Sequence, residues 1–229
     1  MAVKTCVFDA YGTLFDVAAA ARNCAAEPRW SQLNGIWQKL ANDWRSKQLQ
    51  YTWLRAVTGE HTDFWNVTGD ALDWSLEASG LAGDPELRER LLALYWELEA
   101  YPEVPKMLSE LKAQSCTTAI LSNGSPDMLT GAVNSAGISG LIDAMLSVES
   151  TGIFKPHRSV YELVEQRFGV QPADVMFVSS NGWDAAAGAG FGFRSVWVNR
   201  SGEPLDRLPR EPAFVFRDLS GIPGLAMSI

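Results

Sequence analysis

The first residue with chemistry to offer is Asp9, delivered at the end of the apolar run 3–8 and followed at once by a turn marked by Gly12. Three later stretches have the same form. Residues 119–121 lead into Ser122, Asn123 and Gly124. Lys155 and Pro156 come shortly after the run 142–148, with Tyr161 a little further on. Residues 177–178 lead into Ser179, Ser180, Asn181, Gly182, Trp183 and Asp184. If these runs are parallel strands of one sheet, their polar ends line one edge, which is where open α/β sheets bind ligands. A carboxylate beside a lysine, hydroxyls and an amide can act as a nucleophile, because a nearby cation and donors favour its charged form. A second carboxylate can orient a water. Singly, each residue has a plainer explanation: Ser122 and Asn123 as a turn or cap, Lys155 as a solvated cation, Asp184 as a helix cap. Together, in this order, they describe a site.

The elements that must position them follow from periodicity. Strands are expected at 3–8, 117–121, 142–148, 175–178, 195–198 and 214–216. Helices are expected between them at 105–114, 126–136, 159–168 and 183–189, with Pro105, Pro126 and Pro172 at or near helix starts. This alternation predicts an α/β fold, a parallel sheet covered by helices on both faces. Residues 17–102 differ. They hold Trp30, Trp37, Trp44, Trp53, Trp65, Trp74 and Trp96, contain no convincing strand, and repeat apolar residues at helical spacing. Four or five helices are expected there, inserted after the first strand, with the tryptophans chiefly packing between them. The organisation predicted is a core of 1–16 and 103–229 with an all-helical cap of 17–102. The tail, with Pro204, Pro209, Pro212 and Pro223, is expected to be loop-rich.

Composition narrows the function. The chain has 229 residues, 47% hydrophobic and 20% charged, so it can bury a substantial core. A net charge of −8 argues against nucleic acid or anionic membrane as a partner. No segment approaches the ~18 consecutive apolar residues of a membrane helix. The N-terminus lacks signal-peptide features, so a cytoplasmic location is expected. Three cysteines, Cys6, Cys24 and Cys116, fit no metal knuckle and read as buried small hydrophobes in a reducing compartment. His61 and His157 are the only histidines, and no Gly-x-Ser-x-Gly elbow precedes the later one. That argues against a serine-type hydrolase or an α/β-hydrolase dehalogenase, which need a late histidine base.

The stretch Phe8-Asp9-Ala10-Tyr11-Gly12-Thr13-Leu14-Phe15 resembles the first signature of the haloacid-dehalogenase-like superfamily, whose nucleophile is its first Asp. Most members are phosphatases with a second Asp two residues on, and here that position is Tyr11. With Trp44-Arg45 and Lys47-Gln48-Leu49, Leu121-Ser122-Asn123-Gly124, Phe154-Lys155-Pro156 with Tyr161, and Ser179-Ser180-Asn181 with Trp183-Asp184, nearly the whole chain resembles the L-2-haloacid dehalogenases of type II. One departure is Arg158, where the Lys-Pro loop more often has a proline. Without the resemblance, Arg45 would read as a surface arginine.

The resemblance implies a Rossmann-like HAD-like core and a set of roles. Asp9 would attack C2 of an L-2-haloacid and displace halide with inversion, forming an aspartyl ester. Lys155, Thr13 and Ser179 would favour the charged nucleophile. Arg45 and Asn123 would receive the halide. Ser122 and the backbone N–H groups near Ala10 and Tyr11 would hold the substrate carboxylate. Asn181 and Asp184, with Tyr161, would serve the hydrolysis that yields a D-2-hydroxyacid. Tyr11, Leu49, Phe64 and Trp183 would wall the alkyl group. The implied partners are the haloacid, halide and water, with the chain as a homodimer through cap helices. No metal or other cofactor is expected: halide leaves without a proton, a monoanionic substrate needs less charge compensation than phosphate, and Tyr11 and Ser179-Ser180 stand where phosphatases place carboxylates. The alternatives are the same Asp9 chemistry on fluoroacetate or a strained-ring acid, a Mg²⁺-dependent phosphatase, and a catalytically dead binding protein.

Overall fold

The computed structural model describes residues 3–229. Six strands form one all-parallel sheet: β1 Thr5–Phe8, β2 Thr117–Ser122, β3 Ala144–Ser147, β4 Val175–Ser179, β5 Arg194–Val198 and β6 Phe214–Phe216. Their order is β3-β2-β1-β4-β5-β6. β1 therefore pairs with β2 on one side and β4 on the other, with Phe8 opposite both Ile120 and Val178. The next N–H, of Asp9, continues the ladder to the Val178 carbonyl at 2.9 Å. The chain's direction across the sheet reverses at β1, so Asp9 stands at the switch point where α/β sheets open a crevice.

Every residue of β1 and β4 is buried, as a parallel sheet with both faces covered requires. The helices that cover it are α5 Val104–Ala113, α6 Pro126–Ser135, α7 Arg158–Phe168, α8 Gly182–Phe191 and α9 Ile222–Ser228. Between β1 and α5 lie α1 Ala19–Ala26, a 3₁₀ stretch Pro28–Leu33, α2 Trp37–Thr58, α3 Phe64–Ala78 and α4 Pro85–Trp96. Asp63 and Asp84 cap α3 and α4 by accepting the N–H groups of Asn66 and Leu87. Gly59 ends α2 in the left-handed conformation. The outgoing and returning chains run side by side: Asp16 N–H meets the Glu99 carbonyl at 3.0 Å and Tyr101 N–H meets the Leu14 carbonyl at 2.9 Å. This clamp joins the helical insertion to the sheet immediately beyond the Asp9 loop.

Two expectations are corrected. The third strand starts later than 142, because the Asp143 carboxylate accepts the Thr118 N–H at 2.8 Å and is held by Lys112. The tail contains α9, with Pro223 in its first turn, where proline starts a helix and does not break it. The tryptophans divide: Trp30 and Trp44 are buried in the core, while Trp53 and Trp74 are among the exposed large hydrophobics.

Candidate active site

The strand ends converge on Asp9. Its Oδ2 accepts from Thr13 Oγ1 at 3.0 Å and from Asn181 Nδ2 at 3.0 Å, and its Oδ1 accepts from Lys155 Nζ at 3.1 Å. Lys155 Nζ also donates to Asp184 Oδ2 at 2.9 Å. Tyr161 Oη donates to the other Asp184 oxygen at 2.7 Å. One buried ammonium thus bridges two buried carboxylates. Local structure explains the placement. Asp184 lies in the first turn of α8, where the helix dipole favours negative charge. Asn123 Oδ1 accepts the backbone N–H of Lys155 at 3.0 Å and pins the lysine loop to the end of β2.

The electrostatics follow from burial and pairing. Burial alone would weaken the Lys155 ammonium, but the carboxylates of Asp184 and Asp9 outweigh it and hold its pKa above the ordinary lysine value. Burial lifts the Asp184 carboxyl above the usual aspartate value; Lys155 opposes that rise and Asp9 adds to it. Burial, reinforced by the Asp184 charge, keeps the Tyr161 phenol neutral and able to donate.

The loop after Asp9 depends on two glycines. Gly12 adopts φ +88°, and a Cβ there would also come within 3.1 Å of Ser180 Oγ. A Cβ on Gly124 would lie 2.7 Å from Cε2 of Tyr11, so only glycine lets the Tyr11 ring seat against β2. Tyr11 is buried and stacks on Tyr95 with centroids 5.6 Å apart; Phe64, at the start of α3, lies 5.7 Å away. The backbone N–H groups of Ala10 and Tyr11 carry no hydrogen bond among the described residues.

The insertion contributes Arg45 from α2. Its guanidinium donates to the Tyr11 carbonyl at 3.0 Å and reaches Asn181 Oδ1 at 3.4 Å. Gln48, one turn along and 1% exposed, accepts from Arg45 at 2.8 Å and is fixed by Thr68 and Tyr95. Leu49 is four residues after Arg45, on the same helix face.

The expected residues do not all reach Asp9. Ser179 Oγ accepts the Asn181 N–H at 3.2 Å at its own strand end, so the expected hydroxyl contact is replaced by the Asn181 amide. The physical reason is the turn after β4, which brings Asn181 forward. Ser122 Oγ accepts the Gly124 N–H at 3.1 Å. Trp183 lies edge-on to Trp53 of α2, 5.4 Å between centroids, and borders an apolar cavity of about 590 Å³ that also meets Val57, Pro156 and Leu208. Gln48, Tyr95, Gly124, Phe154 and Ser180 were missed as contributors. Gly124 and Ser180, each part of a polar strand end, carried a local signal. Among the described residues, no three His, Cys, Asp or Glu side chains gather in a way that could hold a metal.

A model of the haloacid dehalogenase-like hydrolase family matches residues 3–192. The chain belongs to that family. Within it, the chain is 40% identical over 227 residues to (S)-2-haloacid dehalogenase 1 of Pseudomonas sp. (strain CBS-3), covering 99% of this chain and 98% of that protein. It is 44% identical over 206 residues to the (S)-2-haloacid dehalogenase of Xanthobacter autotrophicus, covering 90% and 79%. The structure of the L-2-haloacid dehalogenase from Xanthobacter autotrophicus with chloropropionic acid covalently bound superimposes with a TM-score of 0.85 at 38% identity, covering 97% and 98%. Among haloacid dehalogenase-like hydrolases, therefore, the likeness runs to carbon–halide enzymes along nearly the full length.

Proposed function

We propose that this chain hydrolyses L-2-haloacids to D-2-hydroxyacids through a covalent ester on Asp9. The observation that carries the reading is the Lys155 ammonium bridging Asp9 and Asp184, with Tyr11 two residues beyond the nucleophile. Asp9 attacks C2 from the face opposite the halogen. The new O–C2 bond forms as the carbon–halogen bond breaks, and halide leaves with the bonding pair toward Arg45 and the Asn123 amide. The substrate carboxylate is held by Ser122 and the N–H groups of Ala10 and Tyr11. Lys155, Thr13 and Asn181 orient the nucleophile. Water then attacks Cγ of Asp9. Asp184, raised in pKa by its burial, takes the water's proton, and Tyr161 and Lys155 hold it in place. The tetrahedral intermediate collapses by breaking the bond from Cγ to the C2 oxygen, which takes the proton back from Asp184. The hydroxyacid leaves, and Asp9 loses the second proton of the water to solvent and returns as a carboxylate. Leu49, Phe64, Tyr11 and Trp183 form the apolar wall.

Metal independence follows from the leaving group, since halide needs neither a proton nor a Lewis acid. Residues 1–16 and 103–229 are the core of this reading and 17–102 its cap. Trp53, Leu54 and Val57 expose one apolar face of α2, which supports a homodimer through the cap. Among the described residues no helix is long and apolar enough to cross a membrane. The three cysteines are free and buried, which suits the cytoplasm. The test is halide release from racemic 2-chloropropionate with chelator present. Release that stops near half conversion with D-lactate formed supports the reading. Mg²⁺-dependent hydrolysis of para-nitrophenyl phosphate without halide release overturns it in favour of a phosphatase.

A further inference from the structure

We propose that His61 and Glu149 form a latch that holds the helical insertion closed over the active site, making both positioning residues for substrate capture. His61 lies in the loop between α2 and α3, and Glu149 in the 3₁₀ turn after β3, Val148–Ser150. His61 Nε2 and Glu149 Oε2 are 3.1 Å apart. The His61 ring also packs on Phe154 at 4.7 Å, and Phe154 lies 6.2 Å from Phe64. Phe64 in turn meets Tyr11. An unbroken row of rings thus runs from the latch to the nucleophile loop, and its Phe154 member immediately precedes Lys155.

The site as it stands is closed. Asp9, Ser122 and Asn123 are 6%, 1% and 6% exposed, so the nucleophile is shut off from solvent. Admitting substrate requires the insertion to part from the sheet. Contacts that span that seam near the site are Arg45 with Tyr11 and Asn181, Tyr11 with Phe64 and Tyr95, Phe154 with His61 and Phe64, Trp53 with Trp183, and His61 with Glu149. The Arg45 contacts belong to the chemistry and the ring contacts are apolar. His61 with Glu149 is a polar pair outside the reacting groups. It is also built to open. His61 Nδ1 and Glu149 Oε1 are buried without a protein partner, so each gains water when the seam parts. That gain offsets part of the lost hydrogen bond and sets the latch near balance.

A latch of this kind acts on the population of the closed state, which raises apparent affinity in proportion. It does not alter chemistry once substrate has closed the site. The inference rests on the dehalogenase reading, and the experiment separates the two. His61→Ala, Glu149→Ala, the double variant and Glu149→Gln are assayed for halide release from 2-chloropropionate. Each Ala variant is expected to raise KM on the order of fivefold, with kcat changed by less than about twofold. The double variant is expected to match His61→Ala, because the hydrogen bond can be lost only once. Glu149→Gln is expected to retain the wild-type KM, since its amide oxygen still accepts from Nε2–H. An unchanged KM in the Ala variants, effects that multiply in the double variant, or a fall in kcat at constant KM overturns the latch. Amide hydrogen exchange of residues 59–66 reads the same latch without turnover. It is expected to quicken in both Ala variants and not in Glu149→Gln; unchanged exchange overturns the latch. Absence of halide release by the wild type would refute the dehalogenase reading alone.

Discussion

Replacing Lys155 with Met removes the one cation between two buried carboxylates, and the consequences can be worked from the geometry. The ammonium lies 3.1 Å from Asp9 and 2.9 Å from Asp184, with side-chain exposures of 1%, 8% and 0%. At an effective dielectric near 20, each contact carries about 5 kcal/mol of Coulomb attraction, much of it spent against desolvation. Methionine fills similar volume, so the dominant change is electrostatic, and breaking a buried pair costs about 3–5 kcal/mol. The pH dependence has a definite sign. In the wild type, the Lys155 pKa is raised, so its stabilisation is fully present below the ordinary lysine value and fades only as pH rises through the folded value. Asp184 is already raised, and removing Lys155 takes away its main opposing influence. A carboxyl raised on folding favours the folded state below its unfolded pKa, and that contribution is lost as pH rises through the folded one. Urea unfolding of Lys155→Met is therefore expected to show a loss of about 3–5 kcal/mol near pH 7 that shrinks as pH falls to about 5. Turnover is expected to fall by about 10²–10³-fold or more. A loss under about 1 kcal/mol, or one that does not change with pH, would refute the bridged arrangement.

Further expectations follow from the same contacts. Asp184→Asn, which keeps the shape but removes the base, is expected to slow turnover at least about 10²-fold and to leave a substrate-derived adduct on Asp9 visible by intact mass; a slow variant without adduct would move Asp184 out of the hydrolytic step. Gly124→Ala pushes a methyl group into the Tyr11 ring and is expected to cost about 1–3 kcal/mol and raise KM; a thermal midpoint equal to wild type would contradict that close approach. The acid limb of kcat is expected above the ordinary aspartate value of 3.8, because Asp184 must be ionised and its pKa is raised. A profile flat down to that value would remove Asp184 as the base.

The parts of the site that sequence could reveal are those carried by strand ends. Asp9, Asn123, Lys155, Asn181 and Asp184 meet because a parallel sheet places all its carboxyl ends along one edge, and each follows a recognisable apolar run. Arg45 had no such local signal and was legible only through resemblance. Which of Ser179 and Asn181 touches the nucleophile depends on the turn after β4, and a two-residue advance along a turn leaves no mark in composition. Gln48 with Tyr95, 47 residues apart, and His61 with Glu149, 88 apart, meet only once the helices pack. α9 was hidden because Pro223 reads as a breaker when its place in the first turn is not yet known. Trp53 and Trp74 share the spacing of core tryptophans, and only packing separates the exposed pair from the buried one.

The central claim is an ester on Asp9, and turnover in water labelled with heavy oxygen tests it most directly. After many cycles on L-2-chloropropionate, the peptide containing Asp9 is sequenced by mass spectrometry. Attack by Asp9 followed by hydrolysis at Cγ predicts heavy oxygen in the Asp9 carboxylate, and lactate from a single turnover with excess enzyme that carries the ordinary oxygen. An unlabelled Asp9 with label in the lactate from that first turnover would mean that water attacks C2 itself, and would contradict the account.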